Sequence, residues 1–229
     1  SGAKLVFVTL RGEDFDFDPA ELRAAFSAKT KAIIVNTPNN PSGKVFRHGE
    51  LQRIADLCQE FDTLCITDEI YEHILYDHHE HVSIATLPGM YDRTITISGL
   101  SKTFSVTGWR LGYMLAPAHL SNALIARDTG ALLAFVDSRP ELDHSRIGAV
   151  GYCMSGRFVF RVAGAFPDRV AASASIYGAR LISDQPDSAH LLASKIKGEM
   201  YFACAEHDHY ITEEIIVQLR QIIDETGIK

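Results

Sequence analysis

Ser98-Gly99-Leu100-Ser101-Lys102-Thr103-Phe104-Ser105-Val106-Thr107-Gly108-Trp109-Arg110 follows directly on the apolar run that begins at Thr94. A strand here runs out into a lysine flanked by hydroxyls, with an arginine eight residues on. The same strand-then-helix alternation extends in both directions. Strands are expected at Leu5–Leu10, Ala32–Asn36, Leu64–Asp68, Thr94–Ser98, Gly112–Ala116, Ile147–Cys153, Ala171–Tyr177 and Met200–Cys204. Several of these are continuous apolar runs, as in strands covered on both faces. The expected fold is therefore α/β, a mostly parallel sheet flanked by helices.

The intervening helices have readable ends. Asp18-Pro19-Ala20-Glu21 has the form of a capping box with proline in the first turn, opening a helix through Phe26. Leu51, Ile54, Ala55 and Cys58 recur at helical spacing. Thr212 is placed to cap a helix that starts with Glu213 and Glu214, buries Ile215, Ile216, Leu219, Ile222 and Ile223, and stops at Gly227. Between Pro117 and Ser138, Leu120, Leu124, Ala131 and Phe135 fit one helical stripe. Gly130 costs ~1 kcal/mol inside a helix relative to alanine, so the segment reads as one helix or as two meeting there.

Composition narrows the classes. The chain has 229 residues, 46% of them apolar, enough for one α/β domain or two small ones. A net charge of −7 without any basic run argues against a nucleic-acid partner. No stretch approaches the ~18 apolar residues needed to span a membrane. The four cysteines Cys58, Cys65, Cys153 and Cys204 lack CxxC spacing, which argues against a zinc site or disulfide frame and fits a cytoplasmic setting. No metal site is expected: the histidine-rich tract of His73, His78, His79 and His81 reads as a solvated loop. Ser1-Gly2, without a methionine, reads as a scar of tag removal on a recombinant product.

Residues 3–126 resemble the middle of the large domain of the fold-type I, class I and II aminotransferases. The motifs stand in that family's order: Asn36-Thr-Pro38-Asn39-Asn40-Pro41-Ser42-Gly43, then Asp68-Glu-Ile-Tyr71, then Lys102 through Arg110. The resemblance implies pyridoxal phosphate, with Lys102 condensing with its aldehyde and Asp68 keeping the ring nitrogen protonated. It further implies Asn40 and Tyr71 on the ring oxygen and Arg110 on the phosphate. Many members carry a phosphate-binding serine three residues before the lysine. Here that position is Gly99, and Ser98 or Ser101 is expected to substitute. No counterpart of the family's glycine-rich phosphate loop, ring-stacking aromatic or small domain is expected, so cofactor binding should be weak or absent.

Residues 127–229 resemble the dienelactone hydrolase family of α/β-hydrolases. Gly151-Tyr152-Cys153-Met154-Ser155-Gly156 follows an apolar strand and precedes a helix, which is the form of a nucleophile elbow. The resemblance implies Cys153 as nucleophile, the Met154 N–H as half of an oxyanion hole and Asp208 as the acid of a triad. The triad histidine has no counterpart. His207 and His209 flank Asp208, but neighbours on a strand end point apart and seldom replace a distant base.

An imine-forming lysine and a thiol nucleophile serve unrelated reactions. The expectation is an artificially recombined chain, residues 1–126 from one parent and 127–229 from the other, with its seam between Leu124 and Gly130 and no evolved activity. The alternatives are a residual cofactor-binding protein acting through Lys102 and a weak esterase acting through Cys153. Unmatched sheet edges and apolar faces should drive self-association.

Overall fold

The computed structural model describes residues 2–229, so Ser1 of the tag-scar reading lies outside the described residues. Two compact units divide the chain, one ending at Leu120 and the other beginning at Ser121.

In the first unit, β1 (Leu10–Arg11) pairs antiparallel with β2 (Asp16–Phe17) through a turn with Gly12 at φ 74°. This overturns the expected strand over Leu5–Leu10. Leu5, Val6 and Phe7 are 68%, 60% and 80% exposed, because that apolar run meets no neighbouring edge with which to pair. Helix α1 (Pro19–Ala25) starts as expected, with the Asp18 carboxylate accepting from the Ala20 N–H at 2.7 Å. The reciprocal half of the box is not made. Glu21 turns instead to Arg11 and to the Thr9 N–H, an ion pair outcompeting the backbone donor.

Strand β3 (Ala32–Asn36), helix α2 (His48–Glu60), β4 (Leu64–Asp68), β5 (Thr94–Gly99), the one-turn α3 (Leu100–Thr103) and β6 (Gly112–Leu115) follow. The four strands form one sheet in the order β3-β4-β5-β6, parallel except for β6. The α2 stripe of Leu51, Ile54, Ala55 and Cys58 is buried as its spacing predicts, in a core with Val35, Cys65, Ile84 and Met90. Burying Leu51 and Ile54 is worth about 1.5–3 kcal/mol each, which holds α2 on the sheet. The opposite face is not covered to the same extent: Ile34 is 72% and Ile97 43% exposed.

Helix α4 (Ala118–Asp137) is continuous across Gly130. Its expected stripe is not the buried one: Ala131 and Phe135 are exposed, and Asn122 and Leu133 are buried instead. In the second unit β7 (Ile147–Tyr152), α5 (Met154–Ala165), β8 (Val170–Ile176), β9 (Glu199–Ala203) and α6 (Glu213–Thr226) build a parallel sheet of order β7-β8-β9. Phe160, Ala163, Met200 and Leu219 share a second core, where the Phe160 and Phe202 rings meet edge-on at 5.2 Å. Thr212 is the N-cap of α6, and Gly227 ends it at φ 71°. Of its expected buried set only Leu219 is fully buried; Ile215, Ile216, Ile222 and Ile223 pack partly exposed against the core. The Lys229 carbonyl accepts from the Met200 N–H at 2.8 Å, so the chain runs onto the free edge of β9. Val150 and Tyr201, on the uncovered face, are 59% and 63% exposed, against the expectation of strands covered on both faces.

Candidate functional sites on the two units

The carboxyl edge of the first sheet collects the lysine-segment chemistry. In register, Asn36 lies beside Asp68, and Asp68 beside Ile97, so β3 and β4 end at one level and β5 runs two residues further. Open parallel sheets bind ligands at that edge. Because β6 runs antiparallel and begins opposite Gly99, the Arg110-Leu111 segment enters at the same edge. Lys102 stands on α3, one turn beyond β5, and its ammonium lies 5.6 Å from the centre of the Tyr71 ring. The Asn40 amide donates to the Tyr71 hydroxyl at 3.5 Å. Asn40 is itself held by its N–H, which donates to the Asn36 side chain at 2.9 Å. Asp68 accepts from the Ile70 N–H at 3.2 Å, which orients the carboxylate at the strand end. Arg110 is exposed, in the left-handed region at φ 55°.

The two serines flanking Gly99 separate. Ser98 is 4% exposed and its hydroxyl donates to Glu72 at 3.2 Å. Ser101 sits on α3 beside Lys102, half-buried, with its carbonyl accepting from the Thr107 hydroxyl. An amine, an amide and a phenol from three separate motifs thus come together, with Asp68 and Arg110 at the same sheet edge. That donor set fits an aldehyde-bearing pyridinium phosphate.

Beneath this edge lies a polar group that the sequence did not reveal. Glu69 is 1% exposed; one carboxylate oxygen accepts from the Thr67 and Ser83 hydroxyls, and the other meets His81 Nε2 at 2.9 Å. Glu72 accepts from Ser98 and from the Tyr113 hydroxyl at 3.2 Å. The ligand atoms of Glu69, Glu72 and His81 lie within 4.8 Å of one another. His81 is therefore not part of a solvated loop, as expected, but is drawn in by a buried carboxylate. His78 and His79 remain exposed.

In the second unit the elbow has the tight geometry its glycines predict. Cys153 sits between β7 and α5 at φ 53°, ψ −120°, a conformation that costs a non-glycine residue of order 1–3 kcal/mol. Its N–H donates to the Ile176 carbonyl at 2.9 Å, and its own carbonyl accepts from Gly156 and Ala179. A side chain at Gly151 would strike the Ser155 carbonyl, and one at Gly156 would strike Gly178. The Cys153 thiol is exposed and Met154 is the first residue of α5, so its N–H points off the helix start. Asp208 follows β9 and accepts from the Tyr210 N–H at 2.8 Å. With β8 between them, the ends of β7 and β9 stand about 10 Å apart, two strand spacings. Among the described residues no hydrogen bond joins Cys153, Asp208, His207 and His209. His209 instead meets the Tyr210 ring at 4.5 Å, tilted by 43°. All four cysteines are free.

Two family models match the chain. The model for aminotransferase class I and II matches residues 1–138, and that for the dienelactone hydrolase family matches residues 84–229. Among curated relatives, the chain is 58% identical over 130 residues to kynurenine–oxoglutarate transaminase 3 of Mus musculus, covering 52% of this chain and 29% of that protein. It is 45% identical over 126 residues to an aspartate aminotransferase of Pyrococcus abyssi, covering 55% of this chain and 32% of that protein. Among solved structures, N-succinyldiaminopimelate aminotransferase from Mycobacterium tuberculosis is similar at 42% identity and a TM-score of 0.48, over 49% of this chain and 29% of that one. The chain thus spans less than a third of the length of these relatives. No helix among the described residues is long and apolar enough to cross a membrane.

Proposed function

The chain belongs to the class I and II aminotransferases through residues 1–138 and to the dienelactone hydrolase family through residues 84–229, and from that premise we propose a recombined, artificially assembled protein whose retained biochemical property is capture of pyridoxal phosphate at Lys102. The observation that carries this reading is the grouping of Lys102, Tyr71 and Asn40, side chains from three separate motifs. In it, the Lys102 amine would hold the cofactor through its aldehyde, Asp68 would pair with the ring nitrogen, Asn40 and Tyr71 would bond the ring oxygen, and Arg110 and Ser101 would hold the phosphate. When bound, the cofactor supplies an electron sink. Lys102 and Arg110 are exposed, so water competes with the phosphate and the affinity is low.

Two unrelated chemistries, each on a unit with its own core, support the absence of a joint evolved substrate. The free cysteines fit a reducing, cytoplasmic origin. The test is reconstitution with pyridoxal phosphate, borohydride reduction and peptide mass spectrometry. Label on Lys102 alone, with a visible band lost in Lys102→Ala, is the expected result. Label spread over many lysines would refute specific capture.

A second reading, a thiol esterase, is favoured by the strained backbone of Cys153. With no base bonded to the thiol, an activated ester should give a stoichiometric burst that disappears in Cys153→Ala. Sustained turnover lost in the same variant would overturn the view that no evolved activity is retained.

A further inference from the structure

Helix α5 carries Arg157 and Arg161 one turn apart, on the side that faces the 177–190 segment. The Arg161 guanidinium donates to the Asp187 carbonyl at 2.6 Å. A β-carbon on Gly156 would lie 2.5 Å from Gly178 Cα, so α5 and the turn at 178 approach closely, and Arg180 is near enough to Arg157 for their like charges to act on each other. The Asp187 carboxylate acts on Arg157, and one of its oxygens accepts from the Asn122 amide at 2.7 Å. Arg157 Nε and Arg161 Nε are buried without a hydrogen-bond partner. The Arg157 guanidinium rests at 4.7 Å from the Phe158 ring, which offsets part of its charge but supplies no acceptor. Burial, and then the like charge of Arg180, push the Arg157 proton affinity down, while Asp187 pushes it up.

Arg157 and Arg161, each with a buried unpartnered Nε, and the exposed Arg180 share the half-occupied carboxylate of Asp187, which leaves positive charge and unused donors, a combination that is costly unless an anion completes it. We propose that Arg157 and Arg180, with Arg161 behind them, form a binding site for a small phosphate-type oxyanion, taken as inorganic phosphate or as the phosphate group of a small ester. Guanidinium forks match such oxygens in pairs, and an anion between Arg157 and Arg180 would relieve their mutual repulsion. The site lies on the second unit and does not depend on the cofactor reading of Lys102.

The experiment is calorimetric titration of inorganic phosphate, and separately of glycerol phosphate, into the full chain. It is run in an Arg110→Gln background, so that the other guanidinium assigned to phosphate does not contribute. Saturable binding is expected, with a rise in melting temperature of about 3–5 °C that chloride at matched ionic strength does not reproduce. Arg180→Gln, at an exposed position where folding is not at stake, should weaken the affinity about 10- to 100-fold. Arg157→Lys, which keeps the charge and loses the fork, should weaken it as well. Binding of the ester and not of the free ion would identify the source of the phosphate. No saturable binding of either, or an isotherm unchanged in Arg180→Gln, overturns the proposal.

Discussion

A β-carbon at position 99 would meet the Leu111 carbonyl at 2.8 Å and Ile70 Cδ1 at 3.1 Å, where β6 crosses the end of β5. The glycine that replaces a phosphate-binding serine is thus required by the close approach of two strands. Gly99→Ser and Gly99→Ala should each cost about 1–3 kcal/mol, as overpacking against backbone does, and should lower Lys102 labelling alike. Urea denaturation of the two variants checks this; a stable Gly99→Ser with stronger cofactor capture would mean that the strands yield and the serine works. Residues of this kind divide by how local their signal is. The neighbourhood of Lys102, Tyr71 and Asn40 was legible because each sits in a different short motif. The Glu69–His81 pair was not, because its histidine comes from a tract that looks solvated and is drawn in by a carboxylate twelve residues earlier. The arginines of α5 were equally invisible, since nothing in the chain between 157 and 180 announces that two glycines bring those positions together.

At the scale of elements, the β1–β2 hairpin is tied to the start of α2 by charge. Asp16 pairs with Lys44 and with Arg47, while Lys44, its side chain only 5% exposed, also meets Glu50 at 2.8 Å. The hydrogen bond from Lys44, with that from Arg47, holds the Asp16 carboxyl at about 2, below its ordinary 3.8. A depressed carboxyl contributes stability that is present above the unfolded value and lost as pH falls through the folded one. The Asp16 carboxyl carbon should therefore titrate near pH 2 by NMR, and the hairpin should loosen between about pH 4 and 2. Asp16→Asn should flatten stability over that window, and a midpoint at the ordinary value would show that the ion pairs do not persist in solution. Helices and strands were mostly legible from periodicity, as α2 demonstrates. The Leu5–Leu10 run failed because β propensity without a partner edge makes no strand. The continuity of α4 was undecidable because a single glycine costs little against a helix of 20 residues.

At the scale of the molecule, strand pairing is the least local feature, and it is where sequence reading stopped: the alternation of strands and helices is compatible with one long sheet, yet β3-β4-β5-β6 and β7-β8-β9 are separate sheets. Each has helices of its own unit on one face and leaves apolar side chains on the other. On the second sheet, Val150 pairs in register with Ala174, and Ala174 with Tyr201, so one row of the open face is wholly apolar or aromatic. The row before it runs Gly148, Ala172 and Glu199, which leaves a shallow cleft of about 570 Å³ along small residues. An apolar row of this kind gains roughly 25 cal/mol for each Å² it removes from water, while a charge within it opposes association without disturbing the core on the other side. The protein should therefore self-associate in a concentration-dependent way, as sedimentation velocity would register. Tyr201→Lys should shift the distribution toward monomer with little change in the midpoint of urea unfolding, because Tyr201 is already 63% exposed. An unchanged distribution in Tyr201→Lys would move the cause of association to the other open face, where Ile34 and Ile97 provide the matching test.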